Sequence, residues 1–356
     1  MSSQNYKNIN SPFKSLSDGY LQVIDQTKLP FIYEELTLKT GDDVYRAIKD
    51  MIVRGAGVIG NVAAYGVYLS SLESNGDIKF IRKSSEKILH ARPTAVNLNW
   101  AIQRMLKILD QGAQGITEKL KQEAFKIAEE EKQNSRKMGK YGLSLIEEIL
   151  IRKQKNKINI LTHCNAGHLA IYDRGSALAP IYEAKRLGID IHVWVDETRP
   201  RNQGANLTAW ELKQEDVDFT IIPDNTGGLL MQRGEVDLVF VGADRVTKNG
   251  DVINKIGTYL KALAAKDNNI PFYVFYPSST FDGNLESGTG VIIEERDGDE
   301  IRFITGKDKN GTILTIQIMM DDAKVLNYGF DITPAKFITG WVTENGISNF
   351  NTPLVI

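Results

Sequence analysis

Between Ile158 and Ser279 the chain repeats one pattern five times: INILTHC, IDIHVWVDE, VDFTIIPDN, VDLVFVGAD and PFYVFYPSS. Each run is short, apolar and rich in β-branched or aromatic residues, and helix-length segments separate most of them. Such runs predict buried strands joined by crossover helices, the βαβ pattern of a parallel, Rossmann-like sheet. In an open α/β sheet, ligands bind beyond the carboxyl ends of the strands. Every run here ends in polar or reactive groups: Thr162-His163-Cys164-Asn165, Asp196-Glu197, Asp224-Asn225, Asp244, and Ser278-Ser279-Thr280. Those five ends would line one crevice. A dinucleotide fold would carry G-x-G-x-x-G after its first strand, but that turn reads C-N-A-G-H-L, so no nicotinamide cofactor is implied.

The densest polar cluster lies in Asp237 to Tyr259, where the apolar LVFVG runs into Asp244. An isolated Asp after a strand more often pairs with a neighbour such as Arg245 or caps a turn. The density of polar groups behind so apolar a strand favours a site instead. Asn254-Lys255 reads as the start of the helix IGTYLKALAAK, where free N–H groups and a cation would face an anion. A second anion signal is Arg54-Gly55-Ala56-Gly57-Val58-Ile59-Gly60 leading into a helical stretch. Glycines also let helices pack closely, so this signal is weak alone, and Arg54 tips it towards phosphate. Arg92, beside Pro93, is either solvated or a second anion ligand, and the sequence favours solvation.

Cys164 is the sole cysteine, so neither an intramolecular disulfide nor a thiolate zinc site can form. A lone cysteine is most often buried and inert. This one stands at a strand mouth, where a nearby helix N-terminus would lower its pKa. His163 is adjacent, but neighbours on a strand point to opposite faces, which argues against a Cys-His hydrolase. The four histidines show no H-x-x-x-H pairing, and no metal site is implied. A thiol, an acid, an anion pocket and no cofactor motif together suit proton or hydride movement on a phosphorylated small molecule.

The organisation is a mainly helical region over 1–152 and a Rossmann-like region over 153–356. Tyr20–Leu36 reads as two short strands or a hairpin. DDVYRAIKDMIV is a helix capped by Asp42 or Asp43, Thr94 a cap after Pro93, and Gly115–Arg152 a helical stretch broken near Gly139–Gly142. KQKNK at 153–157 reads as a solvated linker, 301–320 as a peripheral hairpin around Asn310-Gly311, and Thr333-Pro334 as a helix start. A net charge of -2 argues against nucleic acid, MSSQNYKNIN lacks a signal-peptide pattern, and no apolar run approaches a membrane span. A soluble cytoplasmic protein is expected.

RGAGVIGNVAAYGV, RPTAVNLNWAI, LTHCNAGHLA, VDETRPRNQGANLTAWEL, GADRVTKNGDVINKIGTY and PSSTFD, in that order, carry a family resemblance. From about residue 40 onwards the chain resembles the S-methyl-5-thioribose-1-phosphate isomerase family, shared with the regulatory subunits of eIF2B and with ribose-1,5-bisphosphate isomerase. The resemblance implies an aldose–ketose isomerase of methionine salvage, a helical domain before a Rossmann-like one, a homodimer, and no cofactor. It implies Asp244 as general acid, Cys164 as its partner, and substrate contacts from Arg54, Gly55, Ala56, Arg92, Gln203, Asn254 and Lys255. The sequence departs from the family pattern at RGAGVIG, at TGGLL and at Asn327–Asp331, which leaves the C5 substituent open. 5-Deoxyribose 1-phosphate and ribose 1,5-bisphosphate remain alternatives within the enzyme class. Outside it stands a non-catalytic eIF2B-like regulatory or sugar-phosphate-sensing protein.

Overall fold

The computed structural model describes residues 11–110, 112–349 and Leu354, so the signal-peptide reading of the first ten residues lies outside the described chain. It opens with a three-stranded antiparallel sheet, β1 (Phe13–Ser15), β2 (Leu21–Ile24) and β3 (Glu35–Leu38), where sequence suggested a hairpin. Five helices follow: α1 (Gly41–Lys49), α2 (Ala56–Glu73), α3 (Ile78–Leu89), α4 (Val96–Leu109) and α5 (Ile116–Lys153). Strands and helices then alternate as β4 (Lys157–His163), α6 (Ala179–Arg186), β5 (Asp190–Asp196), α7 (Ala209–Gln214), β6 (Asp218–Ile222), α8 (Thr226–Gln232) and β7 (Leu238–Gly242). Next come β8 (Arg245–Thr247), β9 (Val252–Lys255), α9 (Thr258–Asp267), β10 (Phe272–Phe275), β11 (Phe281–Asp282), β12 (Phe303–Lys307) and β13 (Ile313–Gln317). The described chain closes with β14 (Phe330–Thr333), β15 (Gly340–Thr343) and β16 (Gly346–Asn349).

All five apolar runs are strands of one sheet, in the order β16-β15-β10-β7-β4-β5-β6. Its members are parallel except β16 at the edge. The first strand, β4, lies between β5 and β7, so successive crossovers leave it in opposite directions. That reversal opens a crevice at the carboxyl ends of β4 and β7, the place where such sheets bind ligands. β7 is buried along its whole length, as LVFVG requires.

The helical region is built around α2, which is buried on nearly every side by α1, α3, α4 and α5. α1 starts with Thr40, not Asp42 or Asp43, as its cap. The Thr40 hydroxyl accepts from the Asp43 N–H while the Asp43 carboxylate accepts from the Thr40 N–H. α4 is preceded by Ala95 without a side-chain cap, and Thr94 turns instead towards Glu294. α5 is one continuous helix of 38 residues. Gly139 and Gly142 do not break it. They let α6 pack close, and a Cβ on Gly142 would lie 2.6 Å from Pro180 Cγ. Leu120, Ala124 and Ile127 of α5 belong to the helical core, whereas Met138, Ile146 and Ile149 belong to the core under the sheet.

The 153–157 segment is more than a solvated linker, because Lys153 and Lys155 reach the buried carboxylate of Asp237 at 2.7 and 2.6 Å. β12 and β13 form the expected hairpin, with Gly311 at φ 85° in its turn. The Thr333-Pro334 expectation fails. Thr333 ends β14, which pairs with β9, and only one 3₁₀ turn follows at Ala335–Phe337. Among the described residues no helix is long and apolar enough to cross a membrane.

Candidate active site

Cys164 and Asp244 stand just past β4 and β7, on the two sides of the sheet's reversal point. Cys164 adopts a left-handed backbone, φ 64°. Its N–H donates to Thr198 Oγ1 at 2.9 Å, and its carbonyl accepts from Thr208 Oγ1 at 2.7 Å, so two hydroxyls clamp the turn. The Asp244 N–H donates to Ile253 O at 3.0 Å, which ties the end of β7 to β9. What surface the two side chains retain faces the cleft rather than bulk water. Burial therefore raises the Asp244 pKa, against the pull of Arg92, Arg54 and Lys255. Burial likewise raises the Cys164 pKa, against Arg54 and Lys255. The expectation of a helix N-terminus lowering it fails, since among the described residues the next helix after Cys164 is α6, which begins at Ala179. His163 faces away from the thiol, with its ring between Asp196 Oδ2 and Ile256 O, both at 2.8 Å.

Arg54 lies just before α2. Gly55 caps that helix at φ 93°, and a Cβ there would lie 2.4 Å from Ala170 Cα, so only glycine fits. The Val58 N–H is taken by Ala170 O, which leaves the Ala56 and Gly57 amides at the positive end of the helix. Both Arg54 Nη atoms donate to Asn165, one to its Oδ1 and one to its carbonyl at 3.0 Å. The Asn165 amide has only this orientation available, because its Nδ2 donates to the buried Glu211 at 2.8 Å. Glu211 also accepts from the His168 and Leu169 N–H groups and from the Tyr182 hydroxyl. It fixes the turn that carries both Cys164 and Asn165. Glu211 falls inside the motif VDETRPRNQGANLTAWEL, but its residue type and spacing do not mark it as a buried anchor.

Arg92 is not solvated. Its side chain is only 13% exposed, 3.6 Å from Glu294, and burial lowers its pKa. Asn254 and Lys255 do not start a helix. They end β9, both buried, with Asn254 Nδ2 on Thr258 Oγ1 at 3.0 Å and Lys255 Nζ on Gly329 O at 3.2 Å. The N-terminus of α9 is occupied by the chain's own Asp331, which accepts from the Gly257 and Tyr259 N–H groups. Gln203 precedes a π-helical turn at Gly204–Thr208, and its Oε1 has no partner among the described residues. Two cations missing from the sequence reading also enter the cleft. Arg201 and Arg296 both bind Glu300, at 3.0 and 2.5 Å. Burial works against the Glu300 charge, yet the two guanidiniums hold its pKa down at about 2.

Three adjoining chambers result, and Asp244 lines all of them. One is cationic, with Arg54, Arg92, Arg201, Lys255 and Arg296 beside Cys164 and Gln203. One lies along Gly55, Ala56, Asn165 and Asn254, again beside Cys164. The third has an apolar wall of Ile59, Val96, Ile253, Val291, Ile293 and Phe330, and is also lined by Arg92, Arg245 and Glu294. Behind them His163, Asp196 and Asp224 have ligand-type atoms within 4.8 Å of one another. The buried Lys261 ammonium already supplies positive charge there, 3.1 Å from Asp196 and hydrogen-bonded to Asp224 O.

Known proteins are similar to this chain along almost its whole length. Methylthioribose-1-phosphate isomerase of Sulfurimonas denitrificans is 55% identical over 337 residues, 94% of each chain. Methylthioribose-1-phosphate isomerase of Desulfatibacillum aliphaticivorans is 49% identical over 335 residues, 92% of this chain and 90% of the relative. Among solved structures, 5-methylthioribose 1-phosphate isomerase from Pyrococcus horikoshii superposes with a TM-score of 0.83 at 34% identity, covering 97% of this chain and 95% of that one. The translation initiation factor eIF-2B subunit delta from A. fulgidus gives 0.79 at 37% identity, covering 95% and 96%. Residues 53–350 match the Initiation factor 2 subunit family, and the chain belongs to that family.

Proposed function

We propose that the chain is an aldose–ketose isomerase that converts 5-methylthioribose 1-phosphate to 5-methylthioribulose 1-phosphate, a step of methionine salvage. The observation that carries this reading is the position of Asp244, where the cationic, thiol-bearing and apolar chambers meet. Phosphate on the anomeric oxygen blocks spontaneous ring opening, so the enzyme must protonate the ring oxygen while the ester stays intact. A carboxyl whose pKa is raised by burial is suited to donate that proton. Arg54, Arg92, Gln203, Asn254 and Lys255, with the Gly55 and Ala56 backbone, hold the phosphate end. Cys164 lies beside the C1–C2 pair, where hydrogen moves from C2 to C1. A thiol kept neutral by burial is a poor base, which favours direct hydride movement over an enediol.

The apolar chamber takes the C5 methylthio group. It fits the smaller 5-deoxyribose 1-phosphate as a second substrate reading. The A. fulgidus neighbour, a translation initiation factor subunit, is the ground for a non-catalytic reading, and Cys164 and Asp244 lining the same two chambers speak for catalysis. The family resemblance supports a cytoplasmic homodimer. The test is turnover of purified protein on 5-methylthioribose 1-phosphate, 5-deoxyribose 1-phosphate and ribose 1,5-bisphosphate, with light scattering for the dimer. A folded protein that binds the first sugar phosphate and leaves it unchanged would overturn the assignment.

A further inference from the structure

We propose that Glu294 is a specificity-determining residue, whose carboxylate excludes sugar phosphates carrying a second anionic group at C5. This rests on the isomerase reading above. Glu294 lines the apolar chamber, and its partner Arg296 lines the cationic one. Its Oε1 accepts from Arg296 Nη1 at 2.8 Å, and its Oε2 lies 3.6 Å from Arg92 Nη2 and 3.4 Å from Thr94 Oγ1. Arg296 is also bound by Glu300, which takes Arg201 as well. Arg201 and Arg296 line the cationic chamber with Arg54, Arg92 and Lys255. The cations on the apolar chamber's wall, Arg92 and Arg245, are already held by Glu294 and Asp282, so a C5 phosphate would meet the Glu294 carboxylate with no free cation beside it.

The placement is built into the backbone. The Gly329 N–H donates to Glu294 O at 2.9 Å, and the Arg296 N–H donates to Asn327 O at 2.7 Å. The Asn327 amide in turn donates to Asp297 O and to Glu300. Glu294 is therefore held by its own carbonyl and by the antiparallel bridge of the next residue, Glu295, with Tyr328. A neutral methylthio or methyl group meets the apolar wall and leaves these ion pairs intact. A C5 phosphate would bring two like charges against a poorly solvated carboxylate, and discrimination by a repulsive element of this kind is a general route to specificity.

The experiment measures kcat/KM of wild type, Glu294→Gln and Glu294→Asp on 5-methylthioribose 1-phosphate, 5-deoxyribose 1-phosphate and ribose 1,5-bisphosphate. Glutamine keeps the size and the acceptor for Arg296 while losing the charge. The ratio of kcat/KM for the bisphosphate over the methylthio substrate should rise at least about tenfold in Glu294→Gln. It should stay near wild type in Glu294→Asp, and the 5-deoxy over methylthio ratio should not follow it. An unchanged bisphosphate ratio in folded Glu294→Gln, or an equal rise in Glu294→Asp, overturns the proposal. If Glu294→Gln does not fold, competitive inhibition of wild type decides. Ribose 1,5-bisphosphate must then bind more weakly than 5-deoxyribose 1-phosphate, and equal or tighter binding refutes the role. Wild type inactive on every sugar phosphate refutes the isomerase reading itself, a different result from either.

Discussion

Glu131 tests how the fold manages a buried acid beside the start of α2. Its carboxyl Oε2 accepts from Asn61 Nδ2 at 2.7 Å and from the Tyr172 N–H at 2.9 Å. The other oxygen packs against Gly57, where an added Cβ would lie 1.8 Å from it. Burial pushes the pKa from 4.5 up to about 8, although both hydrogen bonds favour the charged form. The folded chain therefore binds this proton more tightly than the unfolded chain does. Its stabilising contribution is complete below pH 4.5 and is lost as pH rises to about 8, at about 1.4 kcal/mol per unit. The gap sets a ceiling of about 5 kcal/mol, and relaxation around the ionised carboxylate should reduce the observed loss to about 2–3 kcal/mol. Glu131→Gln keeps the acceptor oxygen and the size but cannot ionise. Between pH 5 and pH 9 the wild type should fall relative to Glu131→Gln by this amount, roughly 3–4 °C in Tm for a single cooperative unit of this length. Thermal unfolding of both proteins across that pH range is the assay. Parallel Tm curves would show that Glu131 does not hold its proton in the fold, and the argument from burial would be wrong.

Cys164→Ser should keep the fold and the substrate affinity while lowering kcat severely, and a near-normal kcat would return Cys164 to the role of a buried, inert thiol. Asp244→Asn should bind substrate nearly normally and lose about two to four decades of kcat. Because the raised Asp244 pKa must keep the acid protonated, wild-type kcat should fall as pH rises through it, and a flat alkaline limb would exclude the acid role. Arg54→Ala and Lys255→Ala should each raise KM by roughly one to two decades, the weight of a charge-assisted contact, and unchanged KM in both would move the anion pocket elsewhere. Turnover in D₂O should leave the C1 hydrogen derived from C2 unexchanged, and deuterium at C1 in the product would establish an enediol route.

The five strands were legible because their apolar runs are short, β-rich and bounded by polar ends. Their order was not, since it depends on which edges pair over long separations, as Ile160 does with Leu238. Cys164 and Asp244 followed directly from the strand ends. Asn254-Lys255 was misplaced because the helical pattern of α9 runs backwards into β9. The true boundary is Gly257 at φ 104°, and the partner that makes β9 a strand, β14, lies far downstream. Arg92 read as solvated because proline breaks usually face water, and only the approach of the Glu294 segment buries it. Arg201, Arg296 and Glu294 carry no periodicity at all. They reach the cleft through loop pairing that no local pattern encodes.

The length of α5 has a consequence of its own. Its first turns are locked into the core that presents Arg54, and its last turns into the core that presents Cys164. One residue added to an α-helix rotates everything beyond it by about 100° and advances it by about 1.5 Å. An insertion between Ala128 and Met138 would thus swing Ile146 and Ile149 off the sheet while Leu120 and Ala124 stayed seated. α5 works as a ruler, setting the spacing between Arg54 and Cys164. Loops elsewhere can drift in length, but two whole turns added here would restore the rotation only by moving the two cores about 11 Å apart.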